Sequence, residues 1–110
     1  MEQLDKDILA WIAAQNDDAA LSAQIASAQV TRRDYMRTGF FVYFDTAPES
    51  PAIADELRPR CPDIDAPGLL DGAGISLFLK NGRLHYLEIY ARGGFFPESP
   101  EDYRLLDPAD

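Results

Sequence analysis

Cysteine and histidine each occur once in the 110 residues, and that scarcity excludes several kinds of chemistry. With Cys61 alone there is no internal disulfide and no multi-cysteine zinc site. Cys61 stands between Arg60 and Pro62 in a proline-rich stretch, far along the chain from the histidine. A thiol–imidazole couple therefore has no support, and Cys61 reads as a free loop thiol. His85 lacks the further nitrogen or sulfur ligands that a zinc site takes. No Gly-x-Ser-x-Gly turn supplies it with a serine nucleophile. Gly72-Ala73-Gly74 leads into an apolar strand instead of a helix N-terminus, so the physics of a phosphate loop is missing. No apolar run approaches the roughly 20 residues of a membrane span, and no basic-then-apolar leader opens the chain. The location expected from this is cytoplasmic.

Cations are also scarce: ten Lys and Arg stand against nineteen Asp and Glu, for a net charge of −9. Double-stranded nucleic acid is disfavoured as a partner, because binding it depends on cations replacing counterions along the phosphates. The charge is unevenly placed. Residues 31–46 and 74–92 together carry +3, and the remainder carries −12. Such an acidic surface either solubilises the protein or faces a basic protein partner. What is present otherwise is ordinary: 46% apolar and 26% charged residues, at a length that suits one domain.

Leu4, Ile8, Trp11 and Ile12 form one stripe of an amphipathic helix, with Trp11 expected in the core. Asn16-Asp17-Asp18 stops this helix and caps a second one running to about Ala28. From Gln29 the period changes. Val30 to Tyr35 alternates, and Phe40-Phe41-Val42-Tyr43-Phe44 reads as a central strand buried on both faces. Arg32, Arg33 and Arg37 read as an exposed strand edge, or alternatively as an anion site. Five of the eight prolines fall within residues 46–73, predicting an ordered but irregular crossover with a short helical turn from Pro51 to about Leu57. Tyr103, Leu105 and Leu106 read as a short returning edge strand.

The strongest local signal is Asn81-Gly82 between two apolar runs, which predicts a type I′ hairpin turn. A regular register then pairs Leu79 with Leu84, Phe78 with His85, Leu77 with Tyr86, Ser76 with Leu87 and Ile75 with Glu88. One face would carry Ile75, Leu77, Leu79, Leu84, Tyr86, Glu88 and Tyr90, and the other Ser76, Phe78, His85, Leu87 and Ile89. In that register Glu88 lies among apolar neighbours. It is then either paired with Arg32, Arg37 or a backbone N–H, or it serves a binding or catalytic role.

Arg33-Asp-Tyr, Thr38-Gly-Phe-Phe, Gly74-x-Ser-Leu-Phe-Leu, Leu87-Glu88-x-Tyr90 and Gly93-Gly94…Pro97 together show a resemblance. They are similar to segments of a group of small bacterial proteins of unassigned function, which share Arg-x-Tyr-Thr-Gly-x-Gly-Phe-Phe and Leu-Glu-Gly-Tyr. The resemblance covers about residues 28–100. Met36-Arg37 interrupts the first segment here, and Ile89 replaces the glycine of the second. What the resemblance implies is an immunity protein acting beside a secreted toxin.

The expected fold is α+β: a single domain with two N-terminal helices packed on an antiparallel sheet of about four strands, near 29–36, 39–46, 74–80 and 83–91. The expected function is a non-enzymatic acidic binding protein, an immunity protein neutralising a basic toxin domain. The alternative is a small-molecule-binding or hydrolytic domain using one face of the sheet. The candidate binding residues are Glu88, Tyr90, His85, Tyr43 and Arg37. The expected partner is a protein, with a homodimer as an open alternative; no cofactor, metal, nucleic acid or membrane is expected.

Overall fold

The computed structural model describes residues 1–108 and shows an α+β fold. Two helices, α1 (Gln3–Gln15) and α2 (Ala19–Ser27), precede six strands: β1 (Gln29–Tyr35), β2 (Gly39–Asp45), β3 (Asp63–Asp65), β4 (Ala73–Lys80), β5 (Arg83–Ala91) and β6 (Arg104–Leu106). All pairings are antiparallel, in the order β1-β2-β5-β4-β3-β6. The sheet thus has six strands instead of about four. The two additions are three residues each. The returning strand was legible around Leu105, while β3 was not, because three residues carry no readable alternation. Among the described residues no helix is long and apolar enough to cross a membrane.

The helices form where the sequence places them. The Asp18 carboxylate accepts from the Leu21 N–H at 2.8 Å and caps α2. Leu4, Ile8, Leu9 and Ile12 of α1 and Leu21 of α2 are buried against one face of the sheet. That face presents Phe40, Val42 and Phe44 from β2, Ile75 and Leu77 from β4, and Leu84, Leu87 and Ile89 from β5. Trp11 is only partly buried, packed on the core's border beneath the Arg60 guanidinium. In β1 the residues facing α1 include Arg33, which pairs at 3.2 Å with the buried Asp5 and lies 3.9 Å from the Phe40 ring centre. Burial pushes the Asp5 carboxyl above its ordinary range, against the opposing pull of Arg33, and its Oδ1 has no hydrogen-bond partner.

Residues 46–62 are irregular, as the prolines predict, but contain no helical turn. Pro51 to Leu57 instead runs along the hairpin end, with buried Ile53 donating its N–H to Gly82 O at 2.9 Å. Asn16 fastens the same segment from the other side, exchanging hydrogen bonds with the Arg60 backbone at 2.9 and 2.8 Å. Asn81 and Gly82 both have positive φ, 53° and 75°, as the turn requires.

The hairpin register departs from a regular one. Leu79 faces Leu84, but Phe78 faces Tyr86, leaving His85 as an extra residue in β5. Beyond this bulge Leu77 pairs with Leu87, Ser76 with Glu88 and Ile75 with Ile89. Every β5 side chain past the bulge changes face relative to the regular register, while those of β4 keep theirs. The change is energetically sensible: a regular register turns Glu88 towards the helices, and the bulge turns Leu87 and Ile89 there instead.

Gln24 of α2 is fully buried beside this irregularity. Its carboxamide donates to Gly82 O at 2.8 Å and to Pro51 O at 2.9 Å, and accepts from the Leu84 N–H at 3.0 Å. The side chain thus pairs with β5 much as a peptide group of a neighbouring strand does, where the β2 ladder has ended at Tyr43. Gln24→Leu keeps the bulk, leaves the buried Leu84 N–H without its partner, and removes one of two donors from Gly82 O, which keeps the Ile53 N–H. The expected loss is about 1–3 kcal/mol, read as a fall in the urea midpoint. Gly82→Val forces a β-branched residue into positive φ, with its Cβ 3.1 Å from Ala52 Cβ. A loss of about 1–3 kcal/mol is expected in thermal melts, and an unchanged melt would contradict the turn geometry.

Candidate functional site

The second face of the sheet is built by the residues that alternate with the core. From β1 come Arg32 and Asp34, and from β2 Phe41 and Tyr43. From β5 come His85, Tyr86, Glu88 and Tyr90, and from β4 Ser76 and Phe78. Neither helix lies on this side. None of these side chains is buried: Phe41, Tyr43, Ser76, His85, Tyr86 and Glu88 are half-buried, while Phe78 and Tyr90 are 38% and 39% exposed. The expectation that Phe40 to Phe44 is buried on both faces is corrected accordingly, since β2 alternates between core and open face.

The aromatic rings on this face touch one another. Phe78 and Tyr86 stack with centroids 4.5 Å apart and planes within 19°. Tyr43 lies 5.4 Å from Tyr86, Phe41 lies 6.0 Å from it, and His85 meets both Tyr43 and Tyr86 edge-on at 5.9 and 5.0 Å. The Arg32 guanidinium sits 4.8 Å from the Tyr43 ring centre and pairs with Asp34 at 2.8 Å. The result is an ordered aromatic platform across three strands, five rings counting the imidazole.

Four of the sequence candidates, Tyr43, His85, Glu88 and Tyr90, share this face. The regular register had separated His85 from Glu88 and Tyr90, and the bulge brings them together. Arg37 does not join them: it sits with φ 61° in the turn between β1 and β2, side chain exposed, its carbonyl accepting from the Phe96 N–H. Phe41, Phe78 and Tyr86 complete the platform and were not singled out. A signal for them existed, because Leu84, Leu87 and Ile89 share one face only if a residue is inserted between 84 and 87.

Glu88 contradicts the expectation of an arginine or backbone partner. Arg32 is taken by Asp34 and Arg33 by Asp5, and Glu88 makes no hydrogen bond or ion pair among the described residues. It lies between Phe41 on β2 and Ser76 on β4. Among the described residues no three His, Cys, Asp or Glu side chains converge as a metal site. Cys61 is half-buried in the crossover, donates weakly to Pro59 O, and burial pushes its thiol up to about 11, which keeps it in the unreactive protonated form.

The face is nearly flat. Its concavity is a dent of about 70 Å³ beside Gly39, bordered by Met36, Phe41, Glu88 and Tyr90. Larger grooves of about 390 and 420 Å³ run along the β4 border of the face, against the crossover, with Phe78 lining the first and Ser76 and Tyr90 the second. Comparison with family models, curated proteins and solved structures finds no match.

Glu88→Gln removes an unpaired charge and no native contact. The expected stability lies within about 0.5 kcal/mol of the parent, or above it. A loss of 3 kcal/mol or more, the size of a broken buried ion pair, would contradict the unpaired geometry.

Proposed function

We propose that this chain is a non-enzymatic binding protein that receives a basic protein partner on the aromatic face of its sheet. The observation that carries this reading is the platform of Phe41, Tyr43, Phe78, His85 and Tyr86, ordered, half-buried and covered by neither helix. Tyrosine, phenylalanine and arginine are the residues that concentrate in the buried centres of protein interfaces. Shape favours a macromolecule over a metabolite. Small-molecule sites are concave and enclosed, whereas the central rings of Tyr43, His85 and Tyr86 line neither of the larger grooves, which run along the β4 border of the face. The small-molecule alternative needs a pocket centred on these rings, and the grooves lie to one side of them.

Charge bears on the kind of partner. The net charge of −9 draws a basic protein into encounter over long range. On the platform itself Arg32 is neutralised by Asp34, and Glu88 is the carboxylate left without a cation. The resemblance to the bacterial group with Thr-Gly-x-Gly-Phe-Phe segments extends the reading to an immunity protein that neutralises a toxin domain.

Calorimetric titration against the protein encoded beside this one, taken as the toxin, tests the reading. A dissociation constant tighter than about 10 μM is expected, weakening at least tenfold in a Phe78→Ala, Tyr86→Ala double variant that still melts cooperatively. Binding undiminished by that variant would place the interface elsewhere, and no binding below that level would overturn the function.

A further inference from the structure

We infer that the dent beside Gly39 is a cage for an alkylammonium group, a lysine side chain that the partner inserts as an anchor. This rests on the open face being the contact surface and adds the chemistry of its anchor.

Three times the molecule joins a cation to both an aromatic ring and a carboxylate. Arg32 lies on Tyr43 and pairs with Asp34, Arg33 lies on Phe40 and pairs with Asp5, and Arg60 lies over Trp11 and pairs with Asp107. The dent repeats the ring and the carboxylate without the cation. Phe41 and Glu88 face each other across β2 and β5, and Gly39 and Tyr90 form the next such pair along the strands. Gly39 adds no side chain to this pair, and a Cβ there would fall 1.7 Å from the Ile89 carbonyl oxygen. With the Tyr90 ring laid over Gly74 on the other side of β5, the hollow at Gly39 is walled by Phe41 and Glu88, with Met36 and Thr38 also lining it. An aromatic wall attracts a cation through the negative face of its ring, and the attraction strengthens as water is excluded.

Size selects the cation. The hollow is small, about 70 Å³, and an ammonium on its methylene stem is a compact head that enters it end-on. A guanidinium needs room for a planar fork of four heavy atoms.

Two-dimensional NMR of the full chain titrated with Nα-acetyl-lysine methylamide tests the inference. Its norleucine and arginine counterparts serve as the uncharged and the larger probes. The lysine compound should give saturable shifts at the amides of Gly39, Phe41, Glu88 and Tyr90 in the low millimolar range, about 1–10 mM. The norleucine compound should give none, and the arginine compound should bind at least fivefold more weakly. Glu88→Gln should weaken the lysine compound at least fivefold, and Phe41→Leu, which keeps bulk and removes the ring, should weaken it as well. Equal shifts with norleucine or arginine, an unaffected Glu88→Gln, or no saturation below about 50 mM would each overturn the cage. A partner protein that binds the face with undiminished affinity to Glu88→Gln would remove the cage and leave the interface standing. A cage that takes the lysine compound on a face that binds no protein would remove the interface alone.

Discussion

The buried carboxamide of Gln24 is the contact on which the arrangement of the sheet turns. A side chain from α2 pairs with Gly82 O and the Leu84 N–H at the point where the β5 ladder loses its β2 partner. The same amide takes Pro51 O, so the helix, the hairpin turn and the proline-rich crossover meet at one group. A buried amide is tolerable only when its donors and acceptors are all used, and here both protons and the oxygen are. Immediately beyond it β5 takes up one extra residue, His85. The face that each β5 side chain beyond it occupies follows from that insertion.

The electrostatics fall into the same division. Carboxylates crowd the helices, the crossover and the tail, while the sheet segments carry a small positive balance. Within the sheet, arginines are held against rings and carboxylates together, a geometry that keeps the guanidinium on an apolar surface without losing a charged partner. Asp5 bears the cost on the covered side. Its raised carboxyl reflects desolvation that Arg33 only partly offsets. Glu88 on the uncovered side stays in partial contact with water and has no such partner. The difference between the two carboxylates is one of burial, and it separates a residue that anchors α1 from one placed to meet another molecule.

The sequence by itself determined the local geometry. Asn81-Gly82 specified the turn, because only residues that accept positive φ close a two-residue hairpin. Asp18 specified the start of α2, and the switch from a period near four to a period of two located the sheet, since both signals act within a few residues. Tertiary structure decided which face each residue of β5 occupies. A bulge costs little locally, and Leu84 to Tyr90 is apolar enough for either register, so the choice depended on what the helices would cover. Covering Leu87 and Ile89 buries aliphatic surface, whereas covering Tyr86, Glu88 and Tyr90 desolvates a carboxylate and two tyrosine hydroxyls. Gln24 of α2 could satisfy the backbone that the bulge exposes, which no reading of β5 alone discloses. Three-residue pairings such as β3 with β6 were likewise settled only by the packed sheet, because strands that short hold together through their neighbours and not through their own pattern.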